Sequence, residues 1–179
     1  LTAEQGRNLN HLARLLTLGK RRAAKDECDL RQADVFAHAE GQIAIVLPPD
    51  EAAAPAFAEA LTNLRKDFNN RLYLAVNHLY RGDDARRMAT LAEVARRAGV
   101  PLVATNDVHA HAGSRRPLQD VLTCIREKTT IHEAGLRLQA NAERHLKSPA
   151  EMARLFARFP DAVERTLEIV ERVGLDLSQ

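Results

Sequence analysis

Aromatic residues, cysteines and long apolar runs are scarce in the 179-residue sequence. Aromatic side chains make up 4% of it and tryptophan is absent, which argues against a stacking platform for exposed bases. The two cysteines, Cys28 and Cys124, are far apart and have no Cys-x-x-Cys partner, so we expect reduced thiols rather than disulfides or a cysteine-type zinc site. No stretch approaches the ~20 apolar residues of a membrane span.

Neither sign of charge dominates the sequence. Lysine and arginine number 26 against 24 acidic residues, and the net charge of +2 is too small to indicate nucleic-acid binding by itself. Apolar residues (45%) and charged residues (28%) match globular proteins and exclude disordered and collagen-like classes. The first residues lack the basic start and apolar run of a signal peptide. We expect a cytoplasmic globular protein with no membrane partner.

Short apolar runs alternate with helical patterns in the first two thirds of the sequence. Residues 42–47, 72–76 and 100–104 are runs of strand length. Helical spacing separates them, in one set comprising Phe57, Leu61, Leu64 and Phe68 and another comprising Met88, Leu91, Ala92, Ala95 and Ala98, which ends at Gly99. This order predicts an α/β fold of successive βαβ units with a parallel sheet.

Only helical patterns are predicted after residue 115. Their apolar stripes comprise Leu118, Val121, Leu122 and Ile125, then Met152, Leu155 and Phe156 behind a capping box at Ser148, and finally Val163, Leu167, Val170 and Val173. Leu9, Leu12 and Leu16 mark a further helix before the first strand. Because a closed barrel needs about eight strands, we expect the later part of a larger (β/α) barrel at 1–115 and a helical segment at 116–179.

The segment most suggestive of chemistry is residues 105–109, directly after the third predicted strand. Asp107 and His109 stand at an i, i+2 spacing, and the carboxyl ends of parallel strands are where ligands bind. A carboxylate and an imidazole together supply half of a divalent metal site. In the alternative interpretation Asp107 caps the next helix and His109 is solvated.

Other residues allow a functional or a structural interpretation. His78 follows the second predicted strand and either faces the same edge or lies on the surface. Asp83 and Asp84 are predicted helix N-caps. The basic run holding Lys20, Arg21 and Arg22 either contacts phosphates or forms a solvated face. Cys124 is expected in the core.

Several segments resemble the bacterial C-family DNA polymerases. They are residues 105–109 (Thr-Asn-Asp-Val-His), 115–131 and 145–156, and residues 9–22 are similar as well. The 115–131 block resembles the error-prone, translesion branch of that family. The resemblance implies a PHP (polymerase and histidinol phosphatase) domain, a distorted (β/α) barrel whose metal ligands lie at strand carboxyl ends.

The resemblance also implies ligands, cofactors and partners. Asp107 and His109 match the Asp-x-His pair of the PHP domain, where zinc or manganese would bind. The parent polymerase would use magnesium, DNA and deoxynucleotides, with other translesion or replication proteins as possible partners. A histidine that the family places after an earlier strand falls at Leu79 by spacing, with His78 one position short.

The family's upstream His-x-His motif and its palm carboxylates have no counterpart in these residues. The chain is therefore predicted to be a PHP fragment of an error-prone DNA polymerase, without a polymerase active site of its own. Two alternatives stay open. One is a metal-dependent PHP-type phosphoesterase that needs further ligands, and the other is a non-catalytic PHP scaffold.

Overall fold

The computed structural model describes residues 3–173 and, from Leu9 onward, their side chains. Helices and strands alternate in its first half and helices alone follow. Their bounds in chain order are α1 Ala3–Arg22, α2 Gln32–Ala37, β1 Ala44–Val46, α3 Pro55–Phe68, β2 Leu72–Val76, α4 Asp84–Ala98, β3 Leu102–Ala104, α5 Arg116–Glu127, α6 Pro149–Leu155 and α7 Pro160–Arg172. No helix within 3–173 is both long enough and apolar enough to cross a bilayer.

The three strands form one open parallel sheet in the order β1-β2-β3. This confirms the predicted α/β fold with strands joined by α3 and α4. β1 and β3 are each three residues long, shorter than the apolar runs that predicted them. Proline limits both, since Pro48 follows β1 closely and Pro101 precedes β3, and neither has an N–H for the ladder. The carbonyl of Pro101 still accepts the Leu74 N–H at 2.9 Å.

The centre of the sheet is also the centre of the core. Every residue of β2 is buried, as expected of a parallel strand with both edges paired and both faces covered. Leu72, Leu74 and Val76 belong to one apolar cluster with Leu61 of α3 and Leu91 of α4. The helical periodicities of α3 and α4 thus predicted correctly which residues face the sheet.

Helix α7 is attached to the sheet by hydrogen bonds as well as by apolar packing. The fully buried Tyr73 donates its hydroxyl to Oε1 of Glu168 at 2.6 Å. Arg165 donates to the carbonyl of Leu102 at 3.1 Å, and Arg172 donates to that of Asn70 at 2.7 Å. Burial and the bond to Glu168 raise the pKa of Tyr73, and the same bond holds the pKa of Glu168 below its usual value.

The last helices share the core of the sheet. Phe156 and Ala162 are almost fully buried in the cluster that also contains the inner residues of β2 and β3. Ser148 accepts the Glu151 N–H at 3.2 Å, so the predicted helix start at Ser148 is confirmed. The predicted division of the chain at residue 115 stays a prediction.

The predicted apolar stripes of α1, α5 and α7 lie largely on the surface instead of in the core, although Val163 of α7 packs against the core. Leu9, Leu12 and Leu16 of α1 are between 41% and 47% exposed. The α5 stripe of Leu118, Val121, Leu122 and Ile125 is between 48% and 68% exposed, and Leu167 and Val170 of α7 are 66% and 69% exposed. The buried side of α5 is made by Thr123 and by Cys124, as expected for that cysteine. Periodicity correctly identified the apolar face of each helix. It does not show which other surface, if any, packs against that face.

Removing the hydroxyl of Tyr73 tests the attachment of α7. We expect Tyr73→Phe to lower the free energy of unfolding by about 1–2 kcal/mol, because the buried ring loses the hydrogen bond that it donates to Glu168 and the one that it accepts from Arg172. The other tyrosine, Tyr80, is 45% exposed and accepts a hydrogen bond from Arg154 at 3.0 Å, so Tyr80→Phe is a matched control with little expected effect. Urea denaturation measures both variants. Equal losses of unfolding free energy in the two variants would contradict the role of Tyr73 in attaching α7.

The exposed α5 stripe predicts self-association of the isolated chain. Leu122→Glu combined with Ile125→Glu should yield a monomer, because carboxylates are costly to bury in a contact. Arg126→Glu changes the net charge by the same amount at a solvated position of α5 and should leave association as in wild type. Light scattering after gel filtration gives the masses. A monomeric wild type would refute the prediction.

Candidate functional site

The candidate site lies where the loops after β1, β2 and β3 leave the sheet. These loops start at residues 47, 77 and 105. The first loop is held by Arg87 of α4, whose guanidinium donates to the carbonyls of Pro49 and Asp50, both at 3.0 Å. The guanidinium of Arg87 therefore supplies hydrogen bonds to backbone carbonyls of this loop, and its role is structural.

The second loop is held by Asp84, which corrects the predicted capping role. Asp83 occupies the N-cap position of α4 but its side chain caps nothing. The buried Asp84 instead accepts the backbone N–H groups of Leu79 at 2.8 Å and Arg81 at 2.7 Å. A turn with Tyr80 and Gly82 at positive φ needs such partners, since its amides make no ladder bonds.

The protonation of Asp84 follows from these contacts. Burial raises the pKa of its carboxyl, whereas hydrogen bonds from the backbone N–H groups of Leu79, Arg81 and Gly82 and the nearby His78 lower it. The net shift is below the ordinary value of an aspartate. The carboxylate form is therefore the one that stabilises the loop.

His78 packs within this second loop. Its ring meets the Tyr80 ring edge-on, with 4.7 Å between centroids. Asn141 donates to the carbonyl of Leu79 at 2.7 Å and so ties the loop to a segment far along the chain. His78 forms no cluster with Asp107 and His109 that could hold a metal in the part of the chain described.

The third loop is paired with residues 143–146, where hydrophobic periodicity predicted no helix or strand. Asn106 is buried, and its amide donates to the carbonyl of Glu143 at 3.0 Å and to that of His145. The backbone N–H of His109 donates to the carbonyl of Arg144 at 2.8 Å. A single parallel bridge joins Ala110 to His145. The segment contains no apolar run, which explains why periodicity did not indicate this pairing.

Asp107 and His109 are neighbours, as their spacing predicted. Nε2 of His109 lies 3.6 Å from Oδ1 of Asp107, and each side chain is about one third exposed, at 32% and 34%. Asp107 has a φ of +44°, a left-handed conformation that a non-glycine residue adopts at a cost of about 1–3 kcal/mol. The surrounding contacts must therefore hold this turn in place.

Arg144 completes this cluster, and the sequence analysis did not include it. Its guanidinium forms an ion pair with Oδ2 of Asp107, and its Nη1 lies 3.3 Å from Nε2 of His109. Among the described residues no third histidine, cysteine, aspartate or glutamate joins the pair. Zinc sites take at least three protein ligands, so the arrangement fits an ion-pair cluster better than a metal centre. Metal binding by Asp107 and His109 stays a prediction.

A small open pocket, with a volume of about 20 Å³, lies beside the cluster. His109, Arg144 and Arg116 line part of it. Arg116 donates to the carbonyl of Gln139 and lies 3.3 Å from the carboxylate of Asp120. Both guanidiniums on the pocket wall are therefore already paired within the fold.

The predicted phosphate contacts lie at the carboxyl end of α1, where cations also complement the helix dipole. Arg22 forms an ion pair with Asp34, and this contact holds the pKa of Asp34 below its usual value. Lys20 and Arg21 are exposed. Phosphate binding by the three residues stays a prediction, with Arg22 partly committed to Asp34.

Comparison with curated proteins gives a consistent set of relatives, although no protein-family profile matches the chain. The chain is 52% identical over 166 residues to the error-prone DNA polymerase of Caulobacter vibrioides, and 49% identical over 168 residues to that of Rhodopseudomonas palustris. The corresponding protein of Brucella abortus is 47% identical over 169 residues. The chain is similar to a segment of error-prone DNA polymerases.

The matches cover nearly all of this chain but little of each relative. They span 93–94% of the chain and only 15–16% of the relatives' own length. The sequence resemblance to the error-prone branch is thus confirmed in the names of these relatives. The PHP domain, the translesion role and metal binding at Asp107 and His109 stay predictions.

The Asp84 hydrogen bonds predict an acid-sensitive loop. Asp84→Asn should cost about 1–3 kcal/mol at neutral pH, because an amide accepts at one atom only and leaves a buried N–H unpaired. Since the folded pKa of Asp84 is lowered, its contribution is present above about pH 4 and is lost as the pH falls further.

Unfolding midpoints measured between neutral pH and pH 3 check this prediction. The matched control is Asp83→Asn, because Asp83 is 47% exposed and pairs only with Arg86 at 3.2 Å. It should leave both the midpoint and its pH dependence close to those of wild type. An Asp84→Asn variant with wild-type acid sensitivity would contradict the role given to Asp84.

Proposed function

We propose that this chain is a structural segment of an error-prone DNA polymerase, the later part of a PHP-type barrel that supports the enzyme without catalysing polymerisation. One observation carries the proposal. Identity of 44–52% extends along nearly the whole chain, to relatives of which it spans about 15%. A match of this extent fits a segment embedded in a longer polypeptide.

The surface of the chain supports a segment that packs against other structure. Leu122 and Ile125 of α5 and Val170 of α7 are each at least half exposed. Large apolar faces on a folded chain mark contacts with other protein surfaces. We assign those contacts to the remainder of the polymerase.

The chemistry available in the described residues supports the same assignment. Phosphoryl transfer by polymerases uses paired divalent metals held by carboxylates. Asp107 and His109 supply one carboxylate and one imidazole, and Arg144 already pairs with the carboxylate. We therefore place magnesium, DNA and the incoming deoxynucleotide on other parts of the polymerase, whose proposed activity is synthesis across damaged template.

Substitutions in a full-length error-prone DNA polymerase that contains this segment test the proposal. Asp107→Ala and His109→Ala should both leave primer extension at the wild-type rate, because neither side chain contacts the reacting groups. Val108→Ala, at an exposed position between them, is the matched control. The 179-residue chain alone should incorporate no deoxynucleotide on a primed template.

Two results would contradict the supporting role. The first is loss of primer extension in Asp107→Ala and His109→Ala enzymes that remain folded by circular dichroism. The second is release of phosphate from a model phosphate ester that needs both residues, which would favour the phosphoesterase alternative. Incorporation by the isolated chain would overturn the assignment of polymerisation to other parts of the enzyme.

A further inference from the structure

We propose that Arg144 is the built-in cation of the Asp107–His109 site, so that this site is held together without a metal. The inference rests on the proposed supporting function and deepens it by stating what replaces the metal. It follows from which atoms the guanidinium contacts, how its backbone is fixed, and the chemistry of the group.

The guanidinium of Arg144 lies against the atoms that a metal would need. One of its nitrogens pairs with Oδ2 of Asp107, and the other lies 3.3 Å from Nε2 of His109. Nε2 and Oδ1 of Asp107 are 3.6 Å apart, close enough for one cation to serve both side chains. The side chain of Arg144 is 19% exposed, so it is more enclosed than either partner.

The backbone of Arg144 is fixed on both sides. Its carbonyl accepts the N–H groups of His109 at 2.8 Å and Ala110 at 3.2 Å. The buried amide of Asn106 bonds the carbonyls of both residues that flank Arg144. The loop that contains Asp107 thus also fixes the backbone of Arg144, which places the guanidinium beside Asp107. A solvated surface arginine has no such constraint.

The chemistry of the group fits a permanent internal charge. A guanidinium stays protonated at any pH at which the protein folds, and its forked donors can bond a carboxylate and an imidazole together. A divalent ion approaching Asp107 would meet this positive charge and would have to displace it. The cluster therefore keeps its geometry independently of metal supply.

Zinc titration of the 179-residue chain tests the inference. Wild type should show no calorimetric zinc binding, and its melting temperature should be the same in zinc chloride and in EDTA. Arg144→Met keeps the unbranched, apolar stem of the side chain and removes its guanidinium and charge, and it should lower the melting temperature by about 2–4 °C. Arg154→Met is the matched control, since Arg154 is 66% exposed and should give a smaller change.

A double-mutant cycle separates the ion pair from general damage to the fold. Asp107→Asn and Arg144→Met should each lower the melting temperature. The double variant should melt no lower than the less stable of the two single variants. Additive losses would overturn the proposal. Stoichiometric zinc binding by wild type that Asp107→Ala abolishes would also overturn it, and this measurement decides the matter even where Arg144→Met fails to fold.

These outcomes are distinct from failure of the supporting function. Primer extension lost in the full-length Asp107→Ala enzyme, with Arg144 and Asp107 still coupled in the isolated chain, would remove the supporting role only. Normal primer extension together with zinc binding by the wild-type chain would remove the inference about Arg144 only.

Discussion

The complete burial of β2 is the constraint on which the rest of the structure depends. A parallel strand inside a sheet needs a hydrogen-bonded neighbour at each edge and apolar cover on each face. β1 and β3 supply the edges, although each offers only three residues. Leu72, Leu74 and Val76 pack in one cluster with α3, α4 and the start of α7, and Tyr73 reaches Glu168 of α7 by a hydrogen bond. Helix α7 is therefore required by the sheet, although it belongs to the part of the chain without strands.

Charged residues at the carboxyl edge of the sheet hold its loops in place. Arg87 donates to loop carbonyls, Asp84 accepts loop amides, and the guanidinium of Arg144 pairs with Asp107 in the third loop. In a parallel α/β fold this edge is where ligands are expected. Here the same position is used to fix three loops, which agrees with a supporting role. Charge at a strand end is thus an ambiguous signal until its partners are known.

The sequence predicted elements well and partners poorly. Strands, helices, the glycine cap at Gly99 and the start at Ser148 follow from local patterns, because a few neighbouring residues decide them. Arg144 and Asp107 are far apart in the sequence, and hydrophobic periodicity carries no information about contacts at such a distance. The apolar stripe of α5 shows the complementary limit, since amphipathicity identifies a face without identifying what covers it. The position of Asp84 at the start of α4 predicts a helix cap. In the structure its carboxylate instead accepts backbone N–H groups of the preceding loop.

The hydrogen bond between Tyr73 and Glu168 joins residues 95 positions apart. On a ribosome that adds about 5–20 residues per second, α7 emerges roughly 5–20 seconds after the strand it must cover. During that interval the nascent chain carries the apolar strand β2 without the α7 residues that complete its core cluster and without the hydrogen-bond partner of Tyr73. The order of synthesis makes this the period in which chaperone capture or misassembly competes with folding. Completion of the sheet is thus a late event in the biosynthesis of this segment, timed by its last helix.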